Sequence, residues 1–168
     1  MVDARSLIHP TKYFINLKYT NHLLPGGDLS NTRKSTMPTV HITVDQMDHS
    51  SSRGQAGDHS HIMDRPEAKG GQNKGPMGGQ TLLMGLGGCF MSNLLAAAKA
   101  RNIEINNARA KIEGELADAP ARYTDIHMIV TAQCSAPGEL EKLVTIAERG
   151  CIVANTLANA VNLTIKCG

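Results

Sequence analysis

The sequence predicts an α+β domain of largely antiparallel sheets with two long buried helices. Three observations carry that expectation. Strand-like runs such as VHITV at 40–44 and RYTDIHMIVTAQC at 122–134 alternate with a period of two. Two longer apolar stretches, one from Gln80 and one from Glu139, have helical length. The order strand, strand, helix, strand, strand, helix, strand is that of an α+β chain with neighbouring strands paired antiparallel.

Each element has its own reason. Residues 1–37 read as an N-terminal extension, either disordered or targeting, ahead of a domain at 38–168. They are acid-poor and basic, with Arg5, Lys12, Lys18, Arg33 and Lys34 against Asp3 and Asp28. That balance fits an organelle transit peptide, and a charged end followed by a clean apolar block is absent. VHITV is a strand of alternating β-branched residues. Residues 48–58, rich in Ser, Gly and His, form a turn or exposed hairpin, and HSHIMD at 59–64 a short strand. RPEAKGGQNKGPMGG at 65–79 is a Gly/Pro-dense loop.

The first helix follows Gln80 and Thr81 and is expected to be buried on every side, because Leu and Met occupy nearly all of its faces. Lys99 and Arg101 fall in its last turn, where cations suit the helix dipole. NARAKIEGELA at 107–117 and the run at 122–134 form a hairpin around Asp118-Ala119-Pro120. The second helix spans 139–159, with Leu140, Leu143, Val144, Ala147, Cys151, Ala154 and Ala158 as one apolar stripe. VNLTIKC at 161–167 is the last strand.

Composition narrows the function. The 168 residues carry a net charge of +2, so no strong field points to nucleic acid or a membrane surface. Aromatic residues make up 3% of the chain, too few for base stacking. The apolar run at 81–98 contains Ser92, Asn93 and three glycines, which favours a buried helix over a membrane span. Four cysteines are too few for a disulfide scaffold and fit a reducing compartment. The expected location is the cytoplasm, or the mitochondrion if residues 1–37 are a transit peptide.

Cys89 and Cys151 lie in the two helical stretches, among small and apolar residues: GLGGCFMSN and AERGCIVANTL. Neither belongs to a CxxC, which excludes a zinc ribbon or thioredoxin motif at those positions. Two readings stand: inert buried thiols, or a redox pair. In the second, a thiolate attacks a peroxide oxygen and the other cysteine condenses with the sulfenic acid. That chemistry needs the two sulfurs close and the attacking thiol acidified, ordinarily by a nearby cation.

The run DRPEAKGGQNKGPMGGQTLLMGLGGCFMSNLLAAA, followed by AERGCIVANTL, resembles the OsmC/Ohr family of osmotically induced and organic hydroperoxide resistance proteins. The matching pieces are Asp64 to Pro66, Gly70-Gly71, Gly75 to Gly78, Gly87-Gly88-Cys89, and Cys151 to Leu157. The resemblance implies an OsmC-like fold assembled as an intertwined homodimer. It implies a thiol-dependent peroxidase of oxidative-stress defence, with Cys89 peroxidatic and Cys151 resolving. The substrate would be an organic hydroperoxide and the reductant a dithiol or lipoylated protein. No metal or bound organic cofactor is implied.

Active members place a Glu before the peroxidatic cysteine to anchor an Arg that acidifies it. Here that position is Gly79, followed by Gln80. Gln80 is the candidate replacement for the Glu, Arg53 the candidate thiolate-stabilising arginine, and Arg65 a second. The loss of the Glu also supports another expectation: a non-catalytic binding or redox-sensing module on the same scaffold. His59-x-His61 offers a two-imidazole metal pair but no third ligand nearby. Cys134 and Cys167 end strands as bystanders, and Asn93, one turn after Cys89, is in reach of the thiol.

Overall fold

The computed structural model describes residues 11–17 as backbone and residues 38–136 and 138–159 beyond that. The elements are β1 (Thr11–Leu17), β2 (Thr43–Gln46), β3 (Ser52–Ala56), β4 (His59–Met63), a 3-10 turn (Glu67–Lys69), α1 (Gly78–Lys99), β5 (Ile105–Asp118), β6 (Ala121–Cys134), α2 (Glu139–Gly150) and α3 (Ile152–Asn159). They form two three-stranded antiparallel sheets, ordered β1-β6-β5 and β2-β3-β4. The chain divides into two compact units. One ends at Leu82 and contains β2 to β4; the other contains β1 and runs on from Leu83.

In the first unit, local hydrogen bonds set the turns. The Asp48 carboxylate accepts the N–H groups of Ser50 and Ser51, each at 2.9 Å, and closes the β2–β3 connection. Lys74 Nζ donates to it at 2.7 Å, tying the hairpin to the glycine-rich loop. Lys74 and these two amides hold the Asp48 carboxyl well below the usual carboxylate range. Asp64, 3% exposed, organises that loop from β4. Its carboxylate accepts the N–H groups of Arg65 at 2.7 Å and of Gln72 and Lys74 at 3.1 Å each. The loop closes so tightly that a Cβ at Gly71 would stand 1.9 Å from the Arg65 carbonyl oxygen, so only glycine fits.

The second unit holds the core. β6 is the central strand, and Ile126, Met128, Val130, Ala132 and Cys134 alternate onto its buried face. Against them pack Leu86, Phe90, Leu94, Ala97 and Ala98 of α1, and Leu140, Leu143, Val144 and Ala147 of α2. Cys151 and Ala154 complete the same cluster. The core is aliphatic apart from Phe90, as an aromatic-poor sequence requires.

Several expectations change. α1 is buried along one stripe only. Leu82, Met84 and Leu95 on other faces are 42%, 57% and 46% exposed in the single chain, because the core is met by the face of Leu86, Phe90, Leu94, Ala97 and Ala98, flanked by Leu83, Cys89 and Met91. By length and composition this helix would also suffice to cross a membrane. β2 starts at Thr43, opposite Gln55 of β3, rather than at Val40. The stretch at 48–58 contains a full strand, β3. Residues 11–17, within the proposed extension, add β1 to the edge of β6. The expected second helix is two helices, α2 and α3. The expected last strand lies outside the described residues.

Asp64 gives a stability prediction. Burial works against its ionisation, but the N–H groups of Lys74, Arg65 and Gln72 outweigh it and lower its pKa. A carboxylate depressed in the folded chain stabilises fully above its ordinary value of 3.8, and that contribution is lost as pH falls through the lower folded value. Asp64→Asn should therefore lower the thermal midpoint at pH 7 and speed limited proteolysis within 65–77. A proteolysis pattern identical to the parent chain would contradict this role.

Candidate active site

Cys89 lies near the middle of α1, half-buried, next to the Leu86–Phe90–Leu94 stripe. One turn on, Asn93 Nδ2 donates to the Cys89 carbonyl oxygen at 2.8 Å and reaches Cys89 Sγ at 3.9 Å. α2 ends at Gly150, and Cys151 takes an extended backbone, φ −81° and ψ 110°. Its N–H still donates to the Glu148 carbonyl oxygen. The chain then restarts as α3, with Cys151 at the N-cap.

The cap is made by sulfur. Ala154 N–H donates to Cys151 Sγ at 3.4 Å, and Asn155 N–H donates to the Cys151 carbonyl oxygen at 3.0 Å. A thiol thus does what Ser, Thr, Asp or Asn does at ordinary helix starts. The first-turn amides of Ile152 and Val153 and the Cys151 thiol face the Cys89 sulfur and act to lower its pKa. The positive end of α3 and its free N–H groups thereby converge on Cys89.

The electrostatics separate the two thiols. Burial acts to raise the Cys89 pKa, but the Val153 amide, the Cys151 thiol and the Ile152 amide outweigh it and hold it below the ordinary thiol value. Cys151, fully buried at 0% exposure, goes the other way. Burial raises it, the Ala154 and Val153 amides offset that in part, and the bond to Cys89 and the charge there raise it further. Of the two thiols, Cys89 therefore gives up its proton first and Cys151 holds its own longer. The first is a nucleophile and the second a poised partner.

The structure brings together two of the residues selected from sequence, Cys89 and Cys151. Arg53 lies on β3, opposite Asp45 of β2 and Ile62 of β4. Arg65 is exposed beside Asp64. Both belong to the unit that ends at Leu82. Gln80 Oε1 accepts the Met77 N–H at 2.8 Å, so its carbonyl oxygen caps the start of its own helix. The first turn of α1 contains no acidic residue. Cys134 is buried and donates through Sγ to the Ala136 carbonyl oxygen at 3.3 Å. Cys167 lies outside the described residues. His59 and His61 are exposed on β4, and among the described residues no three metal-ligating side chains cluster.

Sequence reasoning missed the amide donors. It placed Cys151 inside a continuous helix because the apolar stripe runs unbroken through it. The stop signal was nevertheless present: Arg149 in a last turn followed by Gly150 is how a helix commonly ends.

This geometry lies in a segment shared with a known family. The profile of the family described as OsmC-like protein matches residues 71–166, more than half of the sequence. The chain belongs to that family. No curated protein matches the sequence significantly. Among solved structures, an OsmC-like protein from Mycoplasma pneumoniae is similar at 20% identity, covering 71% of this chain and 87% of that one, with a TM-score of 0.58. An OsmC-like protein of unknown function from Vibrio cholerae is similar at 13% identity over 71% and 94%, with a TM-score of 0.57. An organic hydroperoxide resistance protein OsmC from Legionella pneumophila is similar at 19% identity over 73% and 91%, with a TM-score of 0.51. At these identities the likeness is one of fold: mixed helix and antiparallel sheet.

The division between the thiols is directly measurable. Iodoacetamide should label Cys89 before Cys151 and Cys134, with half-maximal reactivity at a pH below the ordinary thiol value of 9.0. Mass spectrometry of tryptic peptides across a pH series checks this. Labelling of Cys151 first, or a Cys89 midpoint at or above 9.0, would contradict the assignment.

Proposed function

We propose that this chain is a thiol-dependent peroxidase that reduces organic hydroperoxides through Cys89 and Cys151. The observation that carries the proposal is the hydrogen-bonded cysteine pair, its charge biased to Cys89 by the first-turn amides of α3. The Cys89 thiolate attacks the hydroxyl-bearing oxygen of ROOH. The O–O bond breaks, an S–O bond forms, and RO⁻ takes a proton from solvent to leave as the alcohol. Cys89 is then a sulfenic acid, oxidised by two electrons. Cys151 sulfur attacks the sulfenic sulfur, the S–O bond breaks, and hydroxide leaves with the Cys151 proton as water. The disulfide closes to an S–S distance of about 2.05 Å. A dithiol, free or on a lipoylated protein, restores both thiols by exchange.

Arg53 has a secondary part in this reading, an added positive charge on the thiolate, with Gln80 as its neutral anchor. Assembly is proposed as a homodimer in which a second copy covers the exposed apolar side chains of α1, Leu82, Met84 and Leu95. The absence of any acidic residue in the first turn of α1 favours one other reading, a binding or redox-sensing module that has lost turnover.

Reduced protein mixed with cumene hydroperoxide should lose two thiols per alcohol formed, with saturation kinetics when a dithiol is supplied. Cys89→Ser should abolish the reaction. Cys151→Ser should stop at a sulfenic acid that dimedone traps on Cys89. Survival of both thiols at excess oxidant, or unchanged turnover in Cys89→Ser, would end the peroxidase reading. A slow, non-saturating reaction with tight binding of an apolar ligand would favour the binding module.

A further inference from the structure

We propose that Asn93 is a positioning residue for the Cys89 nucleophile, and that Gly150 is the position that makes its placement possible. The inference rests on the reading of Cys89 as the attacking thiol. Its evidence is the packing of one amide between two helices.

Asn93 is four residues after Cys89, so both project from the same side of α1. Its Nδ2 donates to the Cys89 carbonyl oxygen at 2.8 Å and stands 3.9 Å from Cys89 Sγ. Its Oδ1 lies against Gly150, at the end of α2. A Cβ built at Gly150 would be 2.7 Å from Asn93 Oδ1 and 3.4 Å from Cγ. Glycine therefore lets α2 end directly on the Asn93 amide.

Two consequences follow from this orientation. With Oδ1 turned to Gly150, the amide presents its donor edge to the sulfur, the correct polarity for a thiolate. Asn93 is also a spacer: it sets how closely α1 approaches the residue immediately before Cys151. One amide thus tunes the charge on Cys89 and the distance over which the first turn of α3 reaches it. An aspartate at 93 would have the same shape and the opposite effect, placing a carboxylate beside the thiolate. An alanine at 150 would push the Asn93 amide away and disturb both functions together.

The test is the pH profile of Cys89 alkylation by iodoacetamide, read by peptide mass spectrometry in the full chain, with no peroxide present. It therefore succeeds or fails independently of peroxidase turnover. Asn93→Ala should raise the midpoint and slow labelling at pH 7 about three- to tenfold, as expected for loss of one long hydrogen bond of ordinary net strength. Asn93→Asp, nearly isosteric, should raise the midpoint further. Gly150→Ala should reproduce the Asn93→Ala shift. The double variant should be no worse than the stronger single, because both remove one shared contact. A midpoint unchanged in Asn93→Ala and Asn93→Asp would overturn the proposal. So would a Gly150→Ala effect that adds fully to that of Asn93→Ala, since a merely structural role lowers melting temperature without moving the midpoint.

Discussion

Cys89 sulfur meets the start of α3, and the rest of the second unit is arranged to hold that meeting. The sulfur belongs to one helix, and the amides that reach it belong to the first turn of another. They are brought together because Leu86, Phe90 and Leu94 of α1, together with Leu143 and Ala147 of α2, pack in the same core as β6. Cys151 is fully buried in that core and cannot retreat from it. A shift of α1 against α2 would break the contact between Asn93 and Gly150 first, and then the bonds from the Ile152 and Val153 amides.

Magnitude shows how much backbone amides can contribute at Cys89. A helix terminus acts as roughly half an elementary charge and is worth up to about 2 kcal/mol at a partly buried site. A hydrogen bond to a charged acceptor adds about 1.5–3 kcal/mol. Against these stands the desolvation of a half-buried thiolate, the largest single influence on Cys89 and one that opposes ionisation. The sum still lowers the Cys89 pKa below the ordinary thiol value. On Cys151, the Ala154 and Val153 amides are too little to overcome full burial, and the neighbouring charge adds to the penalty. The same two forces, burial and amide donation, thus produce opposite outcomes at two sulfurs that each face two amides of α3, because Cys151 is the more deeply buried and also feels the charge on Cys89.

Much of this was legible in the residues. The long hairpin of β5 and β6 followed from alternation and a three-residue connection, and α1 from its apolar run. The pairing of the two cysteines came from motif order. What was not legible is physical in each case. The chain break at Gly150 and Cys151 was masked because the apolar stripe continues across it, so the amphipathic pattern read as one helix. The glycine-rich loop at 65–79 looked slack, yet Asp64 binds three of its amides and Gly71 admits no side chain. α1 looked wholly buried because composition reports how apolar a face is and not what covers it. The bond from the Met77 N–H to the Gln80 carbonyl oxygen at the helix start was likewise not legible.

The central claim is that Cys89 and Cys151 act as one redox unit. It is tested most directly by mapping disulfides in the reduced chain after one equivalent of an organic hydroperoxide, by peptide mass spectrometry without reduction. The account predicts a single intrachain link between Cys89 and Cys151, with Cys134 remaining a free thiol. A link through Cys134, a link between two chains at Cys89, or Cys89 driven to sulfinic acid with Cys151 untouched would contradict it.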